Sequence, residues 1–211
     1  MREPRLAEKL RAGLEPLGEA DLGSAQIDAL LGYIDLLQRR NRTYNLTAVR
    51  DPQDMIGRHL LDSLSVLPWI PAGRLLDAGT GAGLPGVPLA IARPSLQVTL
   101  LDSAGKKIRF LNQVRRELGL HNMEPVQARL QDYSPDEPFD AIISRAFARL
   151  AAFAAAARSL AGRAKLLAMK GRHPAAELEE LPEWVRVEAV EKLEVPGLQE
   201  IRHLVIMSVI P

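Results

Sequence analysis

The stretch Leu75-Leu76-Asp77-Ala78-Gly79-Thr80-Gly81-Ala82-Gly83-Leu84-Pro85-Gly86 decides the reading of this 211-residue chain. Leu75 to Ala78 is a short apolar run carrying one acid near its end, the pattern of a strand buried in a parallel sheet. Glycine then recurs at alternate positions, so the chain leaves the strand through a turn that side chains do not crowd. An apolar helix follows over 87–92, and then Leu100-Leu101-Asp102, a second apolar strand that also ends in aspartate. Strand, glycine turn, helix, strand and acid is the arrangement by which an open parallel sheet holds a nucleoside.

The same alternation continues outward from this stretch. Residues 97–101 form the second strand, and Ile108, Phe110, Leu111, Val114 and Leu118 mark the helix after it. A third strand is expected over 124–128, a fourth over 140–143, an alanine-rich helix from about 147 to 160, and a fifth strand over 165–169. A short helix follows Pro174, and 185–195, a Pro196-Gly197 turn and 203–210 read as a closing antiparallel pair. Upstream, Leu6, Leu10, Leu14 and Leu17, then Ile27, Leu30, Leu31, Ile34 and Leu37, recur at helical spacing. A third helix opens at Pro52, and Ser24 is placed to cap the second. The expected organisation is a helical cap over 1–70, packed on an α/β domain over 71–211 with helices on both faces of its sheet.

Composition narrows the chemistry. With 47% hydrophobic residues the chain can bury a substantial core, and charges interrupt every apolar run before it reaches membrane-spanning length. The start, Met1-Arg2-Glu3-Pro4, carries charge where a secretory signal would be apolar, so a cytoplasmic protein is expected. Zero cysteines exclude disulfides, thiolate metal sites and cysteine nucleophiles. His59, His121, His173 and His203 lack metal-ligand spacing, so no structural metal is expected. The net charge is only +1, but two runs are basic without an acid: Arg39, Arg40, Arg42 and Arg50, then Lys106, Lys107, Arg109, Arg115 and Arg116. Both can be solvated faces or phosphate contacts.

Two nucleoside templates compete for the glycines. Gly81, Gly83 and Gly86 match the dinucleotide spacing, with Asp102 near the place of its ribose acid. Yet Gly79 is the residue that leaves the strand, and Pro85 removes an amide donor where a pyrophosphate needs one. S-adenosylmethionine has no phosphate. Its methionine portion can lie over the glycines, Asp77 can face its ammonium, and Asp102 can accept both ribose hydroxyls. The placement favours this cofactor, and nicotinamide binding would revive the other.

At this point the chain resembles a known family. Asn45-Leu46-Thr47-Ala48, Arg58-His59-Leu60-Leu61-Asp62-Ser63-Leu64, the glycine stretch, Leu100-Leu101-Asp102-Ser103 with Lys106-Lys107, Ser144-Arg145-Ala146-Phe147-Ala148 and Lys170-Gly171 occur in order. Together they are similar to the bacterial small-subunit ribosomal RNA methyltransferases of the RsmG type, also called glucose-inhibited division protein B. The resemblance covers nearly the full length. It implies a class I S-adenosylmethionine-dependent fold, Rossmann-like, with a mostly parallel sheet, an antiparallel C-terminal strand and a small N-terminal helical cap. It also implies methyl transfer to guanine N7 in the 530 loop of 16S ribosomal RNA, by a monomer acting on the RNA or on a small-subunit particle.

Carried over by residue, the resemblance puts Gly79, Gly81 and Leu84 against the methionine and ribose side of the cofactor, with Asp102 on the ribose. Leu130 and Gln131 stand beside the adenine, and Arg145 lies at the cofactor end of the fourth strand. Many relatives have glutamate at the place of Gln131, whose carbonyl can still accept from the adenine amino group. Guanine N7 has a free in-plane lone pair, so the implied in-line displacement needs no general base, metal or nucleophilic side chain. An arginine that reads guanine must leave N7 free, so Arg145 is expected to donate to O6 alone or to hold the cofactor carboxylate. The target base must leave its stack, with Arg39, Arg40, Arg42, Lys106, Arg109 and Lys170 as candidate RNA contacts and Tyr44 and Phe147 as candidate aromatic helpers. On the helical wheel Lys107 falls in the apolar arc and is expected to snorkel, and His59 reads as a packing histidine. Rival readings are a methyltransferase for another substrate and a cofactor-dependent ribosomal RNA-binding assembly factor without catalysis.

Overall fold

The computed structural model describes residues 4–18, 21–145, 147 and 149–210. Met1, Arg2 and Glu3 of the charged start, Glu19 and Ala20 of the first interhelical break, Ala146 and Ala148 of the fourth-strand motif, and Pro211 lie outside the described residues. Five apolar runs become parallel strands: β1 (Arg74–Ala78), β2 (Gln97–Asp102), β3 (Met123–Gln127), β4 (Ala141–Ser144) and β5 (Lys165–Lys170). Their alternate side chains are buried on both faces, as Leu76 and Leu100 or Ile142 and Ile143 show. The tail forms β6 (Val185–Leu193) and β7 (Arg202–Val209).

The strand order is β3-β2-β1-β4-β5-β7-β6, with β7 antiparallel to both of its neighbours. Chain progression reverses at β1, which has β2 on one side and β4 on the other. In such a sheet the crevice beyond the C-terminal ends of the strands at the reversal is where a ligand binds. The sheet is therefore the Rossmann-like kind expected, with its antiparallel strand near the C-terminus.

The helices are α1 (Pro4–Leu14), α2 (Ser24–Tyr44), α3 (Pro52–Met55), α4 (Asp62–Leu64), α5 (Gly86–Ala92), α6 (Gly105–Leu118), α7 (Leu150–Ala161) and α8 (Ala175–Glu179). Leu10, Leu30, Leu37, Leu60 and Leu64 from the first 70 residues share one apolar cluster with Leu75, Val87, Leu100 and Leu111. Burying each such side chain contributes roughly 1.5–3 kcal/mol, so these helices are held by the sheet layer. Leu76, Leu101, Ile142, Phe153 and Leu166 fill the opposite face beneath α7.

Local expectations shift in three places. The third helix is not continuous: α3 passes through a π-helical segment, Ile56–Leu61, before α4. No local signal in the sequence marks it. The cap of α2 is Gly23, whose N–H donates to Gln26 Oε1, while Gln26 Nε2 donates to the carbonyls of Ile91 and Ala92 at the end of α5. And α7 starts at Leu150, because its first amide donates to Glu177 Oε2, a cap supplied from 27 residues away.

Candidate functional site

The glycine turn is fastened before any ligand is considered. The amides of Gly79 and Thr80 both donate to the Leu101 carbonyl, at 2.9 and 3.0 Å, which lashes the turn to the end of β2. Ser144 Oγ, at the end of β4, donates to the Ala78 carbonyl at 2.7 Å. From the cap, the fully buried Tyr33 hydroxyl donates to the Ala82 carbonyl at 2.9 Å. Burial pushes its phenol well above the ordinary range, so it stays a donor.

The glycines divide into two kinds. Gly83, at φ +99°, has Val87 Cγ2 and Leu111 Cδ2 at 2.5 and 2.7 Å from where a Cβ would stand, so it is glycine because helices press on it. Gly81, at φ +62°, faces open space: a Cβ there would have only the Gly79 carbonyl oxygen within 4 Å, at 3.9 Å. The turn is thus packed from below and clear above Gly81. A cofactor without phosphates fits that clear side.

The two strand-end acids play different parts. Asp77, expected to face an ammonium, is fully buried, and its Oδ1 has no hydrogen-bond partner among the described residues. Its Oδ2 accepts from Thr80 Oγ1 at 2.6 Å and from the Gly86 amide at 2.8 Å, closing the turn onto α5. Burial pushes its carboxyl up to about 6, against the lowering effect of those hydrogen bonds and of Arg145. Asp102 stands at the ligand edge instead. Its Oδ2 accepts from the Gly81 amide at 3.0 Å, and its Oδ1 from the Ala104 amide at 2.9 Å. A fixed carboxylate beside an open glycine suits a ribose diol, so these residues fit S-adenosylmethionine. Lys107 does not snorkel: its ammonium pairs with Asp102 Oδ2 at 3.0 Å. Leu130 is buried in a 3-10 turn after β3, and Gln131 beside it is exposed. Leu84 is buried against the main core.

Arg145 leaves β4 and docks on the cap. Its Nη1 donates to Asp62 Oδ2 at 3.1 Å and to the Arg58 carbonyl at 3.3 Å. Arg202 at the start of β7 donates through Nε to Asp62 Oδ1 at 3.0 Å. One nearly inaccessible carboxylate therefore joins α4, β4 and β7. Next to it is a cavity of about 360 Å³ whose lining includes Arg58, His59, Asp62, Arg145, Lys170 and Arg202, four cations against one acid. Its size suits a nucleobase or similar ligand. His59 is packed, with Nε2 at 2.9 Å from Thr47 Oγ1, and burial lowers its pKa below the ordinary imidazole range, which favours the neutral ring. Asn41 fixes the backbone of Thr47 from both sides, which gives the Asn45–Ala48 stretch its shape.

The basic candidates fall into two groups. Arg39, Arg40, Arg42, Lys106 and Arg109 are exposed. Helix α2 climbs from the α5 C-terminus at Gln26, past the glycine turn at Tyr33, toward the ligand edge. Arg42 lies about 13 Å further along its axis, and α6 starts at that same edge beside α2. The exposed candidates of the two basic runs therefore lie on a pair of helices that pack against each other. Lys170 is different: its side chain is only 12% exposed and pairs with Glu177 at 2.8 Å. Tyr44 is partly buried, and Phe147 packs on Phe153 at 5.3 Å between ring centres. Asp62, Arg202, Tyr33 and the Lys107 pair carry no role in the sequence reading. Asp62 and Lys107 lay within motifs, but the motifs did not name their partners.

Among the described residues no group of three or more His, Cys, Asp or Glu could hold a metal ion, and no helix is long and apolar enough to cross a membrane. Comparison with known proteins adds the following. Residues 26–205 match the family model described as GidB, rRNA small subunit methyltransferase G. The chain is 53% identical over 201 residues to ribosomal RNA small subunit methyltransferase G of Alkalilimnicola ehrlichii, covering 94% of this chain and 90% of that one. It is likewise 53% identical over 203 residues to the protein of that name from Pseudomonas aeruginosa, covering 95% and 94%. Among solved structures, a SAM-dependent methyltransferase from Aquifex aeolicus is similar in fold, with TM-score 0.58, 19% identity, and 78% of this chain and 97% of that one covered. The chain belongs to the GidB family, rRNA small subunit methyltransferase G.

Proposed function

We propose that this chain methylates N7 of a guanine in the 530 loop of 16S ribosomal RNA, with S-adenosylmethionine as donor. Family membership supports the coarser statement, a small-subunit ribosomal RNA methyltransferase. The observation that carries the finer one is the cationic cavity lined by Arg58, Arg145, Lys170 and Arg202, where His59 is tied to Thr47 and Asp62 to two arginines, and His203 is the remaining titratable lining group. A reaction at a nitrogen with a free lone pair needs no general base, so it does not call on His203.

When bound, S-adenosylmethionine supplies a sulfonium methyl that such a nitrogen takes by in-line displacement. The protein's part is alignment, which in intramolecular models is worth roughly 7–11 kcal/mol. Asp102 accepts the ribose hydroxyls, Gly79 and the open side of Gly81 receive the methionine portion, and Leu130 with Gln131 flanks the adenine. Arg145, with Nη1 already committed to Asp62 and the Arg58 carbonyl, is held in one orientation, so it can donate to O6 without covering N7. Exposed Arg39, Arg40, Arg42, Lys106 and Arg109 meet the phosphates around the flipped base.

The test is mass mapping of 16S RNA from cells lacking the protein, as naked RNA and as small subunits, before and after incubation with the purified chain and donor. One added methyl on a 530-loop guanine, with loss of the N7 lone pair's reactivity, is the expected result. Methylation elsewhere, or none in either substrate, would overturn the proposal.

A further inference from the structure

The Asp102 carboxylate is nearly full. A carboxylate offers about four acceptor positions, two on each oxygen. The Gly81 amide and the Lys107 ammonium, each at 3.0 Å, take both positions on Oδ2, and the Ala104 amide at 2.9 Å takes one on Oδ1. One position is left, whereas a ribose diol donates two hydrogen bonds. For the diol to bind across the carboxylate, one present donor must leave.

The three donors are not equally able to go. The Gly81 amide belongs to a turn that Leu101, Ser144 and Tyr33 already fasten, and the Ala104 amide closes a tight turn at the start of α6. Moving either would leave a backbone N–H without a partner in a part-buried place. Lys107 is a flexible side chain, about a third exposed, and its ammonium regains water on leaving. Asp102 itself is only 6% exposed, so without the lysine or a diol it would be a nearly buried charge lacking a counter-ion.

We propose that Lys107 is a displaceable occupant of the ribose site: its ammonium neutralises Asp102 until the cofactor arrives, and the ribose diol evicts it. This rests on the cofactor reading above and adds a competitor, built into the chain, that sets cofactor affinity. The lysine belongs to the free state of the site, so its removal strengthens binding.

Calorimetric titration of wild type, Lys107→Met and Lys107→Gln with S-adenosylhomocysteine and with its 2′-deoxy analogue tests this. Thermal melts of each variant establish that it is folded. Both variants should bind S-adenosylhomocysteine about two- to fivefold more tightly than wild type, the range of a partly exposed ion pair. The deoxy analogue needs only the one open position, so it should gain little or nothing. Equal or weaker S-adenosylhomocysteine binding in the variants would overturn the proposal, since the lysine would then serve the bound state. An equal gain for both ligands would also overturn it, as a general charge effect. Absence of heat with wild type would instead refute the cofactor reading itself.

Discussion

Asp62 offers the sharpest test of how the site is held. Its side chain is 3% exposed and bonds Arg145 Nη1 and Arg202 Nε at 3.1 and 3.0 Å, so Asp62→Ala strips one anion from between two cations. Removing one partner from a buried pair costs about 3–5 kcal/mol. Here the arginines are 29% and 20% exposed and can partly rehydrate, which puts the expected loss near the lower end, about 3 kcal/mol. For a chain of this length that is about 6–12 °C in melting temperature. Asp62→Asn keeps the shape but not the charge, so it should lose less. Circular-dichroism melts and urea titrations of both variants, and of Asp62→Ala combined with Arg202→Met, give the numbers. Removing the second arginine after the acid should cost less than removing it from wild type, because the first change has already broken their bond. A loss below about 1 kcal/mol for Asp62→Ala, or strict additivity in the double variant, would refute the account of Asp62 as the joint between cap and sheet. Methylation should fall further than stability does, since Arg145 loses its fixed orientation.

Other consequences follow from the same geometry. Tyr33→Phe leaves the Ala82 carbonyl without its buried donor and should cost about 1–3 kcal/mol, together with weaker cofactor binding by calorimetry; unchanged values for both would show that the cap does not brace the turn. Gly86→Ala sets a Cβ against Leu100 Cδ2 and, at 2.7 Å, against Asp77 Oδ2. Overpacking of about 1–3 kcal/mol is expected in denaturant melts, and a neutral result would mean that α5 can shift freely. Burial raises the Asp77 carboxyl to about 6, so the folded chain takes up this proton before the unfolded chain does. The group's contribution to stability therefore rises as pH falls from about 6 toward 4. Asp77→Asn lacks that term, so wild type should gain on the variant between about pH 7 and pH 5; a constant difference would mean that the carboxyl titrates normally.

What was readable in the chain alone is what local rules govern. Short continuous apolar runs located β1, β2, β4 and β5 to within a residue or two, and alternate glycines located the turn, because strand burial and left-handed backbone are properties of adjacent residues. The acid at the end of β2 could be placed at the strand end for the same reason. Asp77 could not be oriented this way. Whether a strand-end side chain points at ligand or core depends on what packs beneath it, and Gly86 and Thr80 claim it.

The sequence by itself therefore determined the sheet, the glycine turn, the family motifs and the supply of charge. Only the tertiary structure decided which charges meet. Asp62 finds Arg145 and Arg202 across 83 and 140 residues, Tyr33 reaches Ala82 across 49, and Glu177 caps a helix that begins 27 residues earlier. The physical reason is that a charged or polar side chain carries no local mark of its partner. The strand order brings the ends of β4 and β7 beside the cap, and the bonds form where that order places them.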